Sequence, residues 1–180
     1  MLNSLRALTL SLLLLGLASP GVGAAEEFRV LAWSELVPKG WDPAKEFRTL
    51  DLSKLKDSDP RAMEALQKMK DVWNNAPIEP GLKGARVRIP GFAIPLENAG
   101  QKTTEFLLVP YFGACIHTPP PPANQIIHAV SKRPQRAIQT MDEVWVSGTL
   151  DLRQATTPWG TAAYRLDVDR VIPYEKTKKK

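Results

Sequence analysis

The chain reads as mainly β with N-terminal helices, its strands closing into a small five-stranded OB-like β-barrel. Three observations predict this. Helical spacing is confined to the stretch before Pro80, and an alternating period of two takes over from Gly84. Glycines interrupt two of the alternating runs, at Gly91 and Gly148, where a small closed barrel needs tight bends. A β-sandwich built from the same strands is the competing architecture.

Met1 to Ala25 has the form of an export segment. Arg6 supplies the positive start, Ala7 to Leu17 is apolar, and Val22-Gly23-Ala24-Ala25 offers small residues for cleavage near Ala24 or Ala25. The apolar run is shorter than the ~20 residues needed to span a bilayer, and no cysteine near the cut could carry a lipid. The expectation is a periplasmic protein of about 155 residues, one domain by length.

Residues 26–80 read as a helical extension packing on the barrel. Trp33, Leu36 and Trp41 are expected to pack onto the domain behind them. Ser58-Asp59-Pro60 is a helix start, with a capping side chain followed by proline at an early position. Between Arg61 and Trp73, Met63, Leu66, Met69 or Lys70, and Trp73 fall on one helical stripe, read as a core face. Pro77 to Gly84 is a connector.

The β domain is expected over residues 81–174. Arg86-Val87-Arg88-Ile89 alternates charged and β-branched residues, as a strand with one wet face does. Pro90-Gly91 is expected to interrupt it as a bulge or bend, before Phe92, Ile94 and Leu96 resume the alternation. Asn98 to Gln101 is a turn. Thr104 to Pro110 is apolar on both sides and suits burial on both faces. Further strands are expected over Asn124 to Val130, Val144 to Leu152 and Ala163 to Ile172, with a turn at Pro158-Trp159-Gly160. In the last strand Tyr164, Leu166 and Val168 share a face while Val171 breaks the parity, which predicts a bulge near Asp169.

The net charge of +5 falls to +4 without Arg6, and much of it lies in the tail at residues 175–180, Lys176-Thr177-Lys178-Lys179-Lys180. A tail of this kind is a solvated end, or a contact for anionic membrane surfaces. Export argues against a nucleic-acid partner.

Cys115 is the only cysteine, so no disulfide forms within the chain. It sits in Phe112-Gly113-Ala114-Cys115-Ile116-His117-Thr118, before Pro119-Pro120-Pro121-Pro122. On an extended chain, residues two apart project to the same side, so the sulfur and the His117 imidazole would face one target. Thiolate and imidazole are zinc donors, with Glu97 a third ligand and Glu105 and His128 weaker candidates. A second reading is a thiol-dependent enzyme, for which no orienting group and no resolving cysteine can be named. A third is a buried thiol acting as a small hydrophobe. Pro119 to Pro122 form a polyproline II rod that steadies the loop or, with Tyr111 and Phe112, presents a docking surface.

The run from Val87 to Glu97, followed by Thr104 to Gln125 with its Gly-Ala-Cys-Ile-His and proline-rich Asn-Gln segments, resembles the DUF3299 family of exported bacterial proteins. The resemblance covers roughly Leu82 to Tyr174. It implies an accessory of an ABC-type permease or a periplasmic binding protein, in settings linked to zinc supply. The resulting expectation is a non-enzymatic binding protein of a transport or metal-homeostasis system. Such a protein would hold zinc through Cys115, His117 and Glu97, or dock a permease through its proline-rich loop without metal.

Overall fold

Alternation builds the first barrel strand. The computed structural model describes residues 27–175 except Ala44, residues 46–58, residues 98–101 and residues 118–119. The export segment, the Asn98–Gln101 turn, Pro119 and the lysine tail therefore lie outside the described residues. A short strand β1 (Arg29–Val30) lies parallel to β2 (Arg86–Pro95). In β2, Val87, Ile89 and Ala93 turn inward and are fully buried, while Arg86 and Arg88 lie outside over the rings of Phe28 and Trp145.

Pro90-Gly91 does not interrupt this strand, contrary to expectation. Instead β2 changes neighbours there. Arg86 to Ala93 pair with β5 (Asp142–Asp151), and Phe92 to Pro95 pair with β3 (Glu105–Val109). Gly91 makes the handover possible, because a Cβ at that position would stand 2.8 Å from the Val109 carbonyl oxygen. β3 pairs antiparallel with β4 (Ile127–Val130), β4 lies parallel to β8 (Tyr164–Pro173), and β8 returns antiparallel to β5. The order β2-β3-β4-β8-β5-β2 is a closed five-stranded ring of the OB type rather than a sandwich. A hairpin of β6 (Ala155–Thr157) and β7 (Gly160–Ala162) turns at Pro158-Trp159 outside the ring.

The bulge expected in β8 is present. Ser147 pairs with Arg170 and Gly148 with Val168, which leaves Asp169 as the extra residue. That single insertion returns Val171 to the inward face, where it is buried with Tyr164, Leu166 and Val168. The strand expected from Asn124 begins later. Ala123–Gln125 form a 3-10 turn, because the Asn124 amide donates to the Pro77 carbonyl (2.9 Å) and the Gln125 amide to the Trp33 carbonyl (3.0 Å).

Residues at the front of the chain pack on the main core. Leu31 and Leu36 are fully buried in the main core, Trp33 and Trp41 pack against it, and the Trp33 indole donates to the Pro90 carbonyl at 2.7 Å. The helix α1 (Pro60–Asn74) starts as the residues predict, with Asp59 accepting from the Arg61 amide at 2.9 Å and Pro60 in the first position. Its apolar stripe is not the core face expected. Within α1 only Ala65 is buried, while Met63 and Leu66 are 60% and 41% exposed. The core is already filled by strand residues with Leu31, Leu36, Ala76 and Leu82, so α1 rests outside on its small side chain. No helix among the described residues is long and apolar enough to cross a membrane.

Candidate functional site

Side chains that point out of the ring should meet water, yet on one face they do not. Ile94 of β2 and Leu107 and Val109 of β3 alternate with the inward residues Ala93, Phe106 and Leu108, and all three are sealed from solvent. They form a second apolar cluster with Ala114, Ile126 and Ala162, joined at its margin by Phe92, Leu96, Cys115, Ile116 and Met141. The described residues between β3 and β4, 110–117 and 120–126, therefore lie as a cover on the outside of the barrel. In OB barrels the face of the second and third strands, with its flanking loops, is where oligonucleotides and oligosaccharides bind. In this ring those strands are β3 and β4; the cluster covers the outer side of β3 together with Ile94 of the neighbouring β2, while Glu105 and His128 pair on the outer side of β3 and β4.

The cover is a tight turn. The Ala114 amide donates to the Tyr111 carbonyl (3.4 Å), and both the Ile116 and His117 amides donate to the Gly113 carbonyl (3.2 and 2.9 Å). Gly113 and Cys115 take left-handed φ values of +84° and +66°. The glycine adopts this conformation freely, while the cysteine does so at a cost of about 1–2 kcal/mol. The Gly113 amide also donates to the Met141 sulfur at 3.2 Å, which ties the cover to the start of β5. Met141 is a site residue that the sequence did not single out, since nothing in its neighbours signals a sulfur acceptor.

This geometry corrects the premise that Cys115 and His117 lie on an extended strand. A turn with a left-handed residue breaks the same-side relation of residues two apart. Cys115 is half-buried against the second cluster, while His117 is exposed. Glu97 is exposed beyond the end of β2, and Glu105 is engaged elsewhere, its Oε1 lying 2.5 Å from the Nε2 of His128. His128 is buried on the outer face of β4, in register with Leu107. Among the described residues no three His, Cys, Asp or Glu side chains gather closely enough to hold a metal ion.

Burial pushes the Cys115 thiol up to about 11, so it is neutral at physiological pH and a poor nucleophile. At pH 8, iodoacetamide should alkylate the folded chain about two orders of magnitude more slowly than the urea-denatured chain. An equal or faster rate in the folded chain, read by mass spectrometry, would restore the nucleophile. The sign of the linkage follows from the raised value. The neutral thiol stabilises the fold below the ordinary thiol range, and that contribution is lost as pH rises from about 9 toward 11.

What the cover presents outward is aromatic. Phe112 is 65% and Tyr111 45% exposed, and Phe112 meets Phe92 edge-on with centroids 5.9 Å apart. Beyond the turn, Pro121 is buried, and Pro122 has the extended φ and ψ of −54° and 149°. Pro120 is braced by the β6–β7 turn, since a Cβ on Gly160 would stand 3.1 Å from the Pro120 Cβ.

The profile of a family described as a protein of unknown function, DUF3299, matches residues 33–173. The chain belongs to the DUF3299 family. A crystal structure of a DUF3299 family protein from Pseudomonas aeruginosa PAO1 is similar, with 33% identity and a TM-score of 0.62 over 83% of this chain and 98% of that one. A comparison with curated proteins gave no match. The family match spans the ring and the cover together, so both are parts of the DUF3299 fold.

Proposed function

We propose that this DUF3299 protein is an exported, non-enzymatic binding protein that engages a protein partner through its cover. The export segment and the family resemblance support a periplasmic accessory of an envelope transport or metal-supply system. The partner class is an ABC-type permease or a periplasmic binding protein, and the lysine tail adds contact with an anionic membrane surface. One observation carries the reading. The outer side of β2 and β3 is covered by the chain's own residues, and the segment that covers it carries Tyr111 and Phe112 exposed to solvent.

Exposed aromatics grouped on a rigid base are the residue type that anchors protein interfaces. The neutral, half-buried thiol favours binding over nucleophilic chemistry. The separation of Cys115, His117 and Glu97 favours protein docking over zinc coordination, for which a partner would have to supply further donors.

The test is crosslinking in intact envelopes followed by affinity purification and mass spectrometry. Wild type should recover a defined membrane or periplasmic partner. Tyr111→Ala with Phe112→Ala should lower that recovery at least tenfold, as loss of an interface anchor worth about 2 kcal/mol requires. Cys115→Ala should leave it unchanged. Equal recovery by wild type and the double variant would remove the cover from the interface.

A further inference from the structure

The apolar stripe of α1 that misses the core faces a second surface. Leu66, Met69 and Trp73 form one wall of a cleft, and Pro120 and Pro121 form the other. The volume is about 340 Å³, within the range of ligand pockets. The walls are a helix face and a stretch of prolines that lack backbone donors, so the cleft offers almost nothing but apolar contact. The exceptions are Asn74 and Lys70, the one charged residue among the described residues that line it. Lys70 is exposed, and no carboxylate of the described residues pairs with it. Across the proline wall, the turn that braces Pro120 carries Trp159, which is 38% exposed.

We infer that this cleft receives an extended segment of the partner protein that inserts apolar side chains between α1 and the prolines and sets a carboxylate against Lys70. The inference rests on the docking reading above and names the chemistry of the partner's contact. Charge complementarity selects the acid. Among the described residues the cleft's one charge is the Lys70 cation, on a chain of net charge +4 without Arg6, so an acidic segment is attracted and a basic one repelled. Concavity selects a segment over a bilayer. A flat membrane surface rests on a convex helix face and does not enter a cleft walled on both sides. The prolines give the second wall its stiffness, which lowers the ordering cost of binding.

The experiment places the photocrosslinker p-benzoylphenylalanine at Leu66, at Phe112, or at Glu64 in the full chain within its own host's envelope. Glu64 is exposed and lies two residues, about 200°, around α1 from Leu66, so it serves as the control. The expected result is a crosslink from Leu66 to the partner captured from Phe112. Peptide mapping should place it on an apolar segment carrying Asp or Glu, and Glu64 should give no product.

Lys70→Glu should lower the Leu66 crosslink about tenfold and leave the Phe112 crosslink in place. A Phe112 crosslink with none from Leu66 would overturn the cleft while the docking reading stands, and loss of both would overturn the two together. Adducts of phospholipid mass at Leu66, or a mapped segment without acidic residues, would also overturn it. Circular dichroism of Lys70→Glu, read beside the retained Phe112 crosslink, separates loss of fold from loss of contact.

Discussion

Gly148→Ala is expected to destabilise the protein by about 3 kcal/mol or more, or to prevent it from accumulating as a folded chain. The Cβ introduced there would stand 2.3 Å from the Asp167 carbonyl oxygen, 3.0 Å from its carbon and 3.1 Å from the Val168 Cα. All three are backbone atoms of β8, so no side chain can swing away. The bulge at Asp169 lies opposite this position, and Gly148 pairs directly with Val168 across it. Relief requires β5 and β8 to part, and with them the seam that closes the ring. Thermal unfolding should fall by on the order of 10 °C. Gly81→Ala is the control, since its Cβ would meet nothing closer than a Glu79 side-chain oxygen at 3.6 Å, and should stay within about 0.5 kcal/mol of wild type. A Gly148→Ala protein that melts with wild type would show that the β5–β8 seam relaxes freely.

Tyr164→Phe is expected to cost about 2–4 kcal/mol while leaving the core shape intact. The Tyr164 ring is fully buried at the start of β8, and its hydroxyl joins two distant segments. It donates to the Leu36 carbonyl at 2.7 Å and accepts from the Glu79 amide at 2.6 Å. Phenylalanine fills the same space but leaves a carbonyl and an N–H without partners, and each unmet group costs about 1–3 kcal/mol. Denaturant unfolding gives the magnitude, and faster hydrogen exchange at the Glu79 amide gives the location. Burial raises the Tyr164 phenol above its ordinary value despite the hydrogen bond from Glu79. Its contribution to stability is therefore complete below about pH 10 and is lost as pH rises beyond it, so Tyr164→Phe should also flatten the alkaline limb of the stability profile. An unchanged midpoint with unchanged exchange would mean that the front of the chain is held by Leu31, Leu36 and Trp33 alone.

The ring was legible in the residues because strand alternation is a local signal. The parity break between Val168 and Val171 located the bulge at Asp169, while Gly91 and Gly148, read as bends, proved to be positions of close backbone approach. The double-sided apolar character of Thr104 to Pro110 announced that the outer face of β3 would be covered. What covers it was not legible. The cover depends on a left-handed φ at Cys115 and on the sulfur of Met141, and side-chain chemistry signals neither. The helical stripe from Met63 to Trp73 shows a related limit. Its period reports that one face of α1 is apolar, but not whether this chain or another molecule meets that face. The pairing of Glu105 with His128 escaped notice because it depends on cross-strand register, which only the folded sheet supplies.

The cover lies between β3 and β4 in the chain, and none of the five strands of the ring includes it. The barrel therefore serves as a mount for an insert whose exposed aromatics, Tyr111 and Phe112, lie apart from the inward core. Residues there can change while the inward side chains of the five strands stay as they are, so the outer surface of the insert is free to vary at the pace of a loop rather than of a core.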